Sequence, residues 1–202
     1  MEIKKTIQEA IENFGRAFFS EADFQHSLAF EIDKRLKQES IDATVFLEVP
    51  FLESREHIDV LIKNKNKIVP IEVKYKTKKK QIESPFGTTI QLADQSAHPD
   101  GRFLFLKDIS RLERIKELYK SNEVEGFAVF LTNDGAYLRQ ASGSSRELSL
   151  NNGVIYSGRK KLDSVKQWAL DLGEIEIKSG YSISWQECKL SDETFYYLIV
   201  CV

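Results

Sequence analysis

Hydrophobic and polar residues alternate through the middle of this chain. Residues 43–52 have an apolar residue at every second position, which predicts a strand with one buried face. The positions expected on that face are Val45, Leu47, Val49 and Phe51. Two further apolar runs, residues 57–63 and 68–76, flank the polar turn Asn64-Lys65-Asn66 and predict an antiparallel hairpin.

Apolar residues at helical spacing lie before and after these strands. Residues 4–19 predict an amphipathic helix, and Ser20 predicts the cap of a second helix that carries apolar residues to Leu36. After the hairpin, Ser84-Pro85 is a favourable cap and first-turn pair for a helix that ends near Ala97.

The rest of the chain predicts one more helix and several strands. A helical pattern runs from Phe103 to Leu118, and the continuous apolar run at residues 126–132 predicts a buried strand. Residues 133–202 predict a helix-and-strand extension. Because no repeat and no long linker divides the chain, we expect a single domain over residues 1–202, with its core at residues 20–132.

The hairpin brings two acids and a lysine to one face. A register centred on residues 65 and 66 places three apolar pairs on one side, namely Ile58–Val73, Val60–Ile71 and Ile62–Val69. The other side then pairs Asp59 with Glu72, and Lys74 projects from the same face. Directly opposed residues have Cβ atoms only about 5 Å apart, so the two carboxylates repel unless a cation lies between them.

A hard divalent cation is the natural partner of such an acid pair. Mg²⁺ binds one or two carboxylates and keeps several waters, and a nearby lysine can offset charge that develops on a phosphate. An acid pair alone is equally compatible with a buried polar pair of no chemical role. The combination of Asp59, Glu72 and Lys74 opposite a cleanly apolar face favours a site.

Charge is unevenly distributed along the chain. The whole sequence has 29 Lys and Arg against 31 Asp and Glu, a net charge of −2. Residues 63–80, however, contain eight lysines and one acid, so this segment carries +7 and the remainder −9. The lysines at its end are either a solvated edge or a patch for backbone phosphates; they are Lys74, Lys76, Lys78, Lys79 and Lys80.

Several classes of protein are excluded or disfavoured. No apolar run approaches the roughly 20 residues of a membrane span, and no apolar stretch follows Met1, so we expect a cytoplasmic protein without a membrane segment. Cys188 and Cys201 form neither a disulfide framework nor a zinc motif. Three charged residues of the Phe103–Leu118 helix are interpreted as surface ion pairs: Asp108, Arg111 and Glu113.

Two short motifs on the hairpin carry a resemblance to a known family. Ile58-Asp59-Val60 and Ile71-Glu72-Val73-Lys74 resemble the signature of the PD-(D/E)xK nuclease superfamily. Glu56-His57-Ile58 departs from it, since a proline before the acid is common there. Later segments, beginning at Phe103, are similar to parts of uncharacterised bacterial proteins with this fold. The resemblance implies an α/β (α+β) fold with a restriction-endonuclease-like core at residues 20–132, a mixed sheet, and an extension at residues 133–202.

The resemblance also implies roles for individual residues. Asp59 and Glu72 would bind Mg²⁺ or Mn²⁺ with the Val73 carbonyl, and Lys74 would be the catalytic lysine. Glu48 is a further candidate ligand, with a plain polar strand position as the alternative. Accessory positions with a surface or capping role as the alternative are Glu21, Gln25 and Gln91, the last on the helix expected after Ser84-Pro85. Residues expected to bind nucleic acid are Lys76, Lys78, Lys79 and Lys80.

These expectations point to two functions of different class. The first is Mg²⁺-dependent hydrolysis of phosphodiester bonds in nucleic acid, with DNA the first choice of substrate. The alternative is a non-catalytic module that keeps the nuclease fold and binds nucleic acid or protein, which the −9 charge outside residues 63–80 favours. Dimers are frequent in this fold, so a homodimer is a further expectation, although the sequence locates no interface.

Overall fold

The computed structural model describes residues 2–51, 56–83, 87–120 and 122–202. In chain order, the elements are α1 (Ile3–Asn13), α2 (Glu21–Gln38), β1 (Thr44–Pro50), β2 (His57–Lys63), β3 (Lys67–Lys76), β4 (Lys80–Glu83), β5 (Thr89–Leu92), α3 (His98–Leu118), β6 (Glu123–Val124), β7 (Phe127–Thr132), β8 (Ile155–Lys161), α4 (Gln167–Leu172), β9 (Glu174–Ser182), β10 (Trp185–Leu190) and β11 (Glu193–Cys201). A short 3₁₀ helix (Gly143–Leu148) precedes β8. The fold is mixed α+β, as predicted.

A mixed sheet forms the centre of the molecule. Its strands lie in the order β1-β2-β3-β7-β11-β10, and the short β6 also pairs with β3. Strand β2 is antiparallel to both β1 and β3, whereas β7 is parallel to β3. A parallel pair needs a crossover, and α3 provides it between β3 and β7. The last two strands of the chain, β10 and β11, extend the same sheet, so the predicted extension contributes directly to it.

Each face of the sheet is covered by its own hydrophobic core. Helices α1 and α2 bury residues such as Phe24 and Leu28 against Val60 and Ile71. Helix α3, together with β8 and β9, buries residues such as Phe105 against Phe130 on the opposite face. Helix α2 begins as predicted, because the Ser20 side chain accepts a hydrogen bond from the Asp23 N–H at 3.1 Å.

The β2–β3 hairpin confirms the predicted register over its first half. Val60 pairs with Ile71 and Ile62 with Val69. The regular pairing then ends, because the Asp59 Oδ2 atom accepts a hydrogen bond from the Val73 N–H at 2.7 Å. The Asp59 side chain thus accepts the hydrogen bond of the Val73 N–H, where the sequence predicts regular pairing between the two backbones.

This break corrects the predicted apolar faces of β1 and β2. Val60 packs in the core beneath α2, but Ile58 packs in the core beneath α3. On β1, Val45 and Val49 divide in the same way, and Leu47 is 40% exposed. The cause on β1 is Glu48, whose φ of 51° lies in the left-handed region. This conformation interrupts the regular alternation, so Val45 before it and Val49 after it pack on different faces of the sheet.

The helix predicted after Ser84-Pro85 is wrong over the residues that can be compared. Ser84-Pro85 itself lies outside the described residues. Residues 80–83 and 89–92 form the antiparallel pair β4 and β5, in which Ile90 and Leu92 are buried and Gln91 is exposed. That two-residue period is typical of a strand. The helix that crosses the sheet is α3, which starts at His98.

Glu113 is also placed differently from the prediction. It is buried, and it accepts hydrogen bonds from the backbone N–H groups of Lys178 and Ser179 and from the Tyr181 hydroxyl. The carboxylate therefore attaches β9 to α3 and is not a surface ion pair. Among the described helices, none has the length and apolar character that crossing a membrane requires.

Candidate functional site

Five charged residues meet beside the centre of the sheet, and we name them the acid–lysine cluster. They are Asp59 of β2, Glu72 and Lys74 of β3, and Asp108 and Arg111 of α3. The structure brings the first three close together, although the predicted Asp59–Glu72 pair is not part of the β2–β3 ladder, which ends at Val60 and Ile71. The two α3 residues correct a prediction, because they are not on the surface: their side chains are only 7% and 13% exposed.

Glu72 is the most deeply buried acid of the acid–lysine cluster. Its side chain is fully buried, and its Oε2 atom accepts a hydrogen bond from Arg111. Its other oxygen, Oε1, has no hydrogen-bond partner among the described residues. Burial, reinforced by the nearby Asp108 carboxylate, raises the pKa of Glu72 well above its usual range. An unsatisfied buried carboxylate oxygen is costly, so this atom marks a position where a cation or a donor would be stabilising.

Lys74 is held as an ammonium ion by the acids around it. Its Nζ atom lies 3.0 Å from the Asp108 Oδ2 atom and donates to the Val73 carbonyl at 3.3 Å. Burial by itself would lower the pKa of Lys74, but Asp108, with help from Glu21 and Asp59, raises it above the usual range. The lysine therefore keeps its charge at any physiological pH.

Asp59 faces the same space from β2. Burial raises the pKa of Asp59, although the hydrogen bond from the Val73 N–H opposes this effect. The acid–lysine cluster thus holds three carboxylates against two cations, Lys74 and Arg111. One negative charge remains without a partner when all three acids are ionised.

Helix α2 supplies the next layer through Gln25. Its amide donates to the Glu48 Oε1 atom at 2.6 Å and to the Asp59 carbonyl at 2.7 Å. Glu21, one turn earlier, accepts a hydrogen bond from the Tyr75 N–H at 2.8 Å. The two accessory residues proposed from α2, Glu21 and Gln25, therefore border the acid–lysine cluster, and Glu48, the further candidate ligand on β1, is linked to it through Gln25.

The predicted accessory position Gln91 is not part of this arrangement. It lies on β5, exposed and paired with Gln81, and so the expected helix face does not exist. The neighbouring Gln95 does contact the end of β3, because its side-chain oxygen accepts a hydrogen bond from the Thr77 N–H at 2.9 Å.

The lysines at the end of β3 divide into two kinds. Lys76 lies 3.8 Å from Glu21 and Lys80 lies 2.5 Å from Glu193, so both have acidic partners. Lys78 and Lys79 are exposed, and their side chains make no ion pair with any residue that the structure describes. These two ammonium groups are the ones available to an anionic ligand.

The fit to a divalent cation rests on few protein ligands. No group of three or more His, Cys, Asp or Glu side chains in metal-binding arrangement occurs in the described part of the chain. Asp59 and Glu72 nevertheless face one another, and Glu72 has a free buried oxygen. Mg²⁺ commonly takes one or two carboxylates and completes its shell with water, so this donor set suits it. Arg111 is the competing cation, since it already binds the other Glu72 oxygen.

The sequence contains a signal for the burial of Asp108, one of the two α3 residues that the prediction placed on the surface. Asp108 follows the buried Phe105 by three positions and precedes the buried Leu112 by four. It therefore belongs to the inward face of the helix by the same spacing that identifies the apolar residues. A charged residue at such a position is buried only with partners, and Lys74 is the partner.

We expect the metal-free protein to lose stability as the pH rises from about 5 to 8. The pKa values of Asp59, Glu72 and Asp108 are raised above the ordinary range near 4. The folded state therefore binds protons more tightly than the unfolded chain, and stability falls as the pH passes from the ordinary pKa to the raised one. Each tenfold difference in proton affinity is worth about 1.4 kcal/mol.

Urea unfolding in EDTA at several pH values measures this dependence. Glu72→Gln should flatten it, because the amide cannot take up a proton. Glu39→Gln, a change at an exposed acid beyond α2, should leave it as in the wild type. A stability that is constant over this range, or that rises with pH, would contradict the prediction.

Comparison with known proteins identifies no relative. No protein-family model matches the chain, and neither the curated proteins nor the solved structures contain a significant match. The function is therefore argued from the acid–lysine cluster and its surroundings.

Proposed function

We propose that this protein is a Mg²⁺-dependent nuclease-like enzyme that hydrolyses phosphodiester bonds of nucleic acid at the acid–lysine cluster. The observation that carries the proposal is the buried Glu72 with one unpartnered oxygen, held beside Asp59 and Lys74. Two carboxylates can hold a divalent cation that lowers the pKa of a bound water, and a charged lysine can stabilise negative charge on a phosphate.

The topology supports a restriction-endonuclease-like core. The order α2, β1, β2, β3, α3, β7 is the helix, three strands, helix and strand that the PD-(D/E)xK resemblance implies. The acid pair lies on the second and third strands of that series, and β7 runs parallel to the third. The β4–β5 hairpin is an insertion between β3 and the crossover helix.

The cluster residues divide the chemical work. Asp59 and Glu72, with the Val73 carbonyl, would hold Mg²⁺, which when bound supplies positive charge to a phosphate oxygen and lowers the pKa of a coordinated water. Lys74 stabilises negative charge that develops on the phosphate, since its ammonium is fixed by Asp108. Arg111 favours the ionised form of Glu72 by placing a guanidinium on one of its oxygens, which opposes the effect of burial on the pKa.

The nucleic acid itself would be bound beyond the end of β3. Lys78 and Lys79 are exposed there and make no ion pair with the residues that the structure describes, and they follow Lys74 along the same chain segment. Lysine contacts to backbone phosphates carry no sequence information, and they make binding strongly dependent on salt. Binding should therefore weaken as the salt concentration rises.

One observation favours the second candidate, a non-catalytic nucleic-acid or protein-binding module. Arg111 contacts Glu72 directly and so supplies the positive charge that a metal ion would otherwise bring. In such a module the acid–lysine cluster would be a structural ion network, and the lysines at the end of β3 would still bind phosphates.

Cleavage and metal binding together test the proposal. Labelled DNA and RNA, single-stranded and duplex, are incubated with the protein in Mg²⁺, Mn²⁺ or EDTA, and Mg²⁺ binding is measured by calorimetry. We expect cleavage only with metal, and loss of both cleavage and metal binding in Asp59→Asn. Asp33→Asn, which alters a half-exposed acid paired with Lys37 on α2, serves as the control.

The outcomes separate the two candidates. Salt-dependent binding of nucleic acid with no cleavage in either metal would select the non-catalytic module. Absence of both cleavage and binding at low salt would contradict nucleic acid as the ligand of this protein.

A further inference from the structure

A second polar cleft lies at the N-terminal end of α3, whereas the acid–lysine cluster lies near the middle of this helix. It has a volume of about 440 Å³ and lies between the start of α3 and the segment that follows β7. Its lining residues are His98, Pro99, Arg102, Ala136, Arg139, Gln140, Ala141, Ser142 and Ser145. None of these belongs to the acid–lysine cluster, and none of them is acidic.

Arg102 is a buried cation without a carboxylate partner. It is 5% exposed, and its Nη2 atom donates to the Ala136 carbonyl at 2.6 Å. Its Nε–H has no acceptor, and the guanidinium makes no ion pair within the part of the chain that the structure describes. Burial lowers the pKa of Arg102, and the attraction of nearby groups, among them the Asp134 carboxylate, offsets that cost only in part.

The Asp134 carboxylate, two residues before the lining residue Ala136, is already engaged. The Asp134 carboxylate lies 2.6 Å from the His98 Nε2 atom and accepts a hydrogen bond from the Ala136 N–H at 2.9 Å. Burial would raise the pKa of Asp134, but these two hydrogen bonds bring it below the ordinary value. Asp134 therefore orients the wall of the cleft and leaves the guanidinium of Arg102 unpaired.

Arg139 adds a second free guanidinium to the same cleft. It is exposed, and its side chain has neither an ion pair nor a hydrogen bond among the described residues. It is also close enough to Arg102 to contribute to the lowered pKa of that residue. Two arginines thus face one cleft whose lining contains no acid, in a protein whose net charge is −2.

The position of Arg102 is fixed by tight packing around it. Its guanidinium carbon lies 5.4 Å from the centre of the Tyr137 ring. Tyr137 is fully buried and packs against Gly101, where a Cβ atom would lie 2.4 Å from the tyrosine hydroxyl oxygen. The chain therefore uses a glycine directly before Arg102 to admit this ring. A charged group held in place in this way is prepared for a ligand before the ligand binds.

We infer that this cleft binds a phosphate group between Arg102 and Arg139. Guanidinium groups match the geometry of phosphate oxygens and are less strongly hydrated than lysine ammonium groups, so they suit a partly buried phosphate site. The phosphate has two chemical sources, the backbone of a nucleic acid and a free mononucleotide or inorganic phosphate.

The structure favours the nucleic-acid backbone, and this choice of source rests on the proposed function. The Lys78 N–H donates to the Asn133 side chain at 2.7 Å, which joins the exposed lysines to the residue before Asp134. Arg102 and Asp108 are six residues apart on α3, or roughly 9 Å along its axis. The two places are therefore about three B-DNA steps apart along the axis of α3.

The test measures phosphate binding without cleavage. Binding of inorganic phosphate, of AMP and of a 12-nucleotide DNA is measured in EDTA at several salt concentrations, for the wild type, Arg139→Gln and Arg102→Met. We expect each variant to weaken binding of the DNA about tenfold and to reduce the slope of log K against log salt by about one. Arg159→Gln, at an exposed arginine of β8, should bind as the wild type does.

Each outcome decides one part of the inference. If Arg139→Gln weakens only phosphate and AMP binding, the site stands and its source is a free phosphate. If Arg139→Gln binds all three probes like the wild type, or if the wild type binds none of them, the inference is wrong. Because Arg139 is exposed, this variant remains informative even if Arg102→Met fails to fold. If binding depends on Arg139 but the protein cleaves no nucleic acid, this inference stands and the proposed nuclease activity is wrong.

Discussion

Lys74→Met should lower the rate of Mg²⁺-dependent cleavage by at least about 100-fold, the scale expected when one group that stabilises transition-state charge is removed. Lys74 is the ammonium closest to the space between Asp59 and Glu72, and Asp108 fixes it there at 3.0 Å. Methionine keeps most of the length and the apolar stem but removes the charge. The measurement is the single-turnover rate at saturating metal.

A loss of folding has to be separated from this loss of chemistry. Lys74→Met leaves the buried Asp108 with only Arg111 as a partner, so the single variant is also less stable. The double variant Lys74→Met with Asp108→Asn removes that unpaired charge and should recover much of the stability, measured by urea unfolding, but none of the activity. Lys189→Met, on the edge strand β10, is the matched control. Cleavage by Lys74→Met at the wild-type rate would remove the lysine from the mechanism.

Arg111→Met should destabilise the metal-free protein by about 3 kcal/mol at pH 8, the lower end of the range for breaking a buried ion pair. Arg111 is the contact of the Glu72 Oε2 atom and also lies 3.1 Å from Asp108. Without it, the three carboxylates of the acid–lysine cluster share the single cluster cation Lys74. The loss should be smaller at pH 5, because the raised pKa of Glu72 lets that carboxyl take up a proton and become neutral.

Urea unfolding of two further variants tests this explanation. Arg111→Met combined with Glu72→Gln should be more stable at pH 8 than Arg111→Met alone, since the unpaired charge is gone. Arg114→Met changes the next arginine on α3, which is 47% exposed, and should cost less than about 1 kcal/mol. Equal losses for Arg111→Met and Arg114→Met would show that the buried position of Arg111 has no special role.

Much of the hairpin was predictable because its signals are local and agree with one another. The apolar alternation on either side of Asn64-Lys65-Asn66 sets the register from Val60 to Lys63, which the structure confirms. The break at Asp59 was not predictable, since it depends on a carboxylate replacing a backbone partner of Val73. Periodicity describes regular strands, and a side chain that enters the ladder is outside its scope.

Other errors have similarly specific causes. The cap signal Ser84-Pro85 favours a helix after it. Ile90 and Leu92 have the two-residue period of a strand instead, and the structure shows that strand. The partners of Asp108 and Arg111 are 34 and 39 positions away in sequence, on β3. Their contacts arise only when α3 crosses the sheet, so no local pattern contains them. The helix spacing indicated that Asp108 faces inward but could not name Lys74 as its partner.

Asp59 occupies the junction between the two hydrophobic cores. The residue before it, Ile58, belongs to the core beneath α3, and the residue after it, Val60, belongs to the core beneath α2. The carboxylate is therefore anchored on one side by each core. A packing change in either core moves one of its two neighbours and alters the distance from Asp59 to Glu72. We therefore expect substitutions in either core, far from any charged group, to change the affinity of the Asp59 and Glu72 carboxylates for a cation.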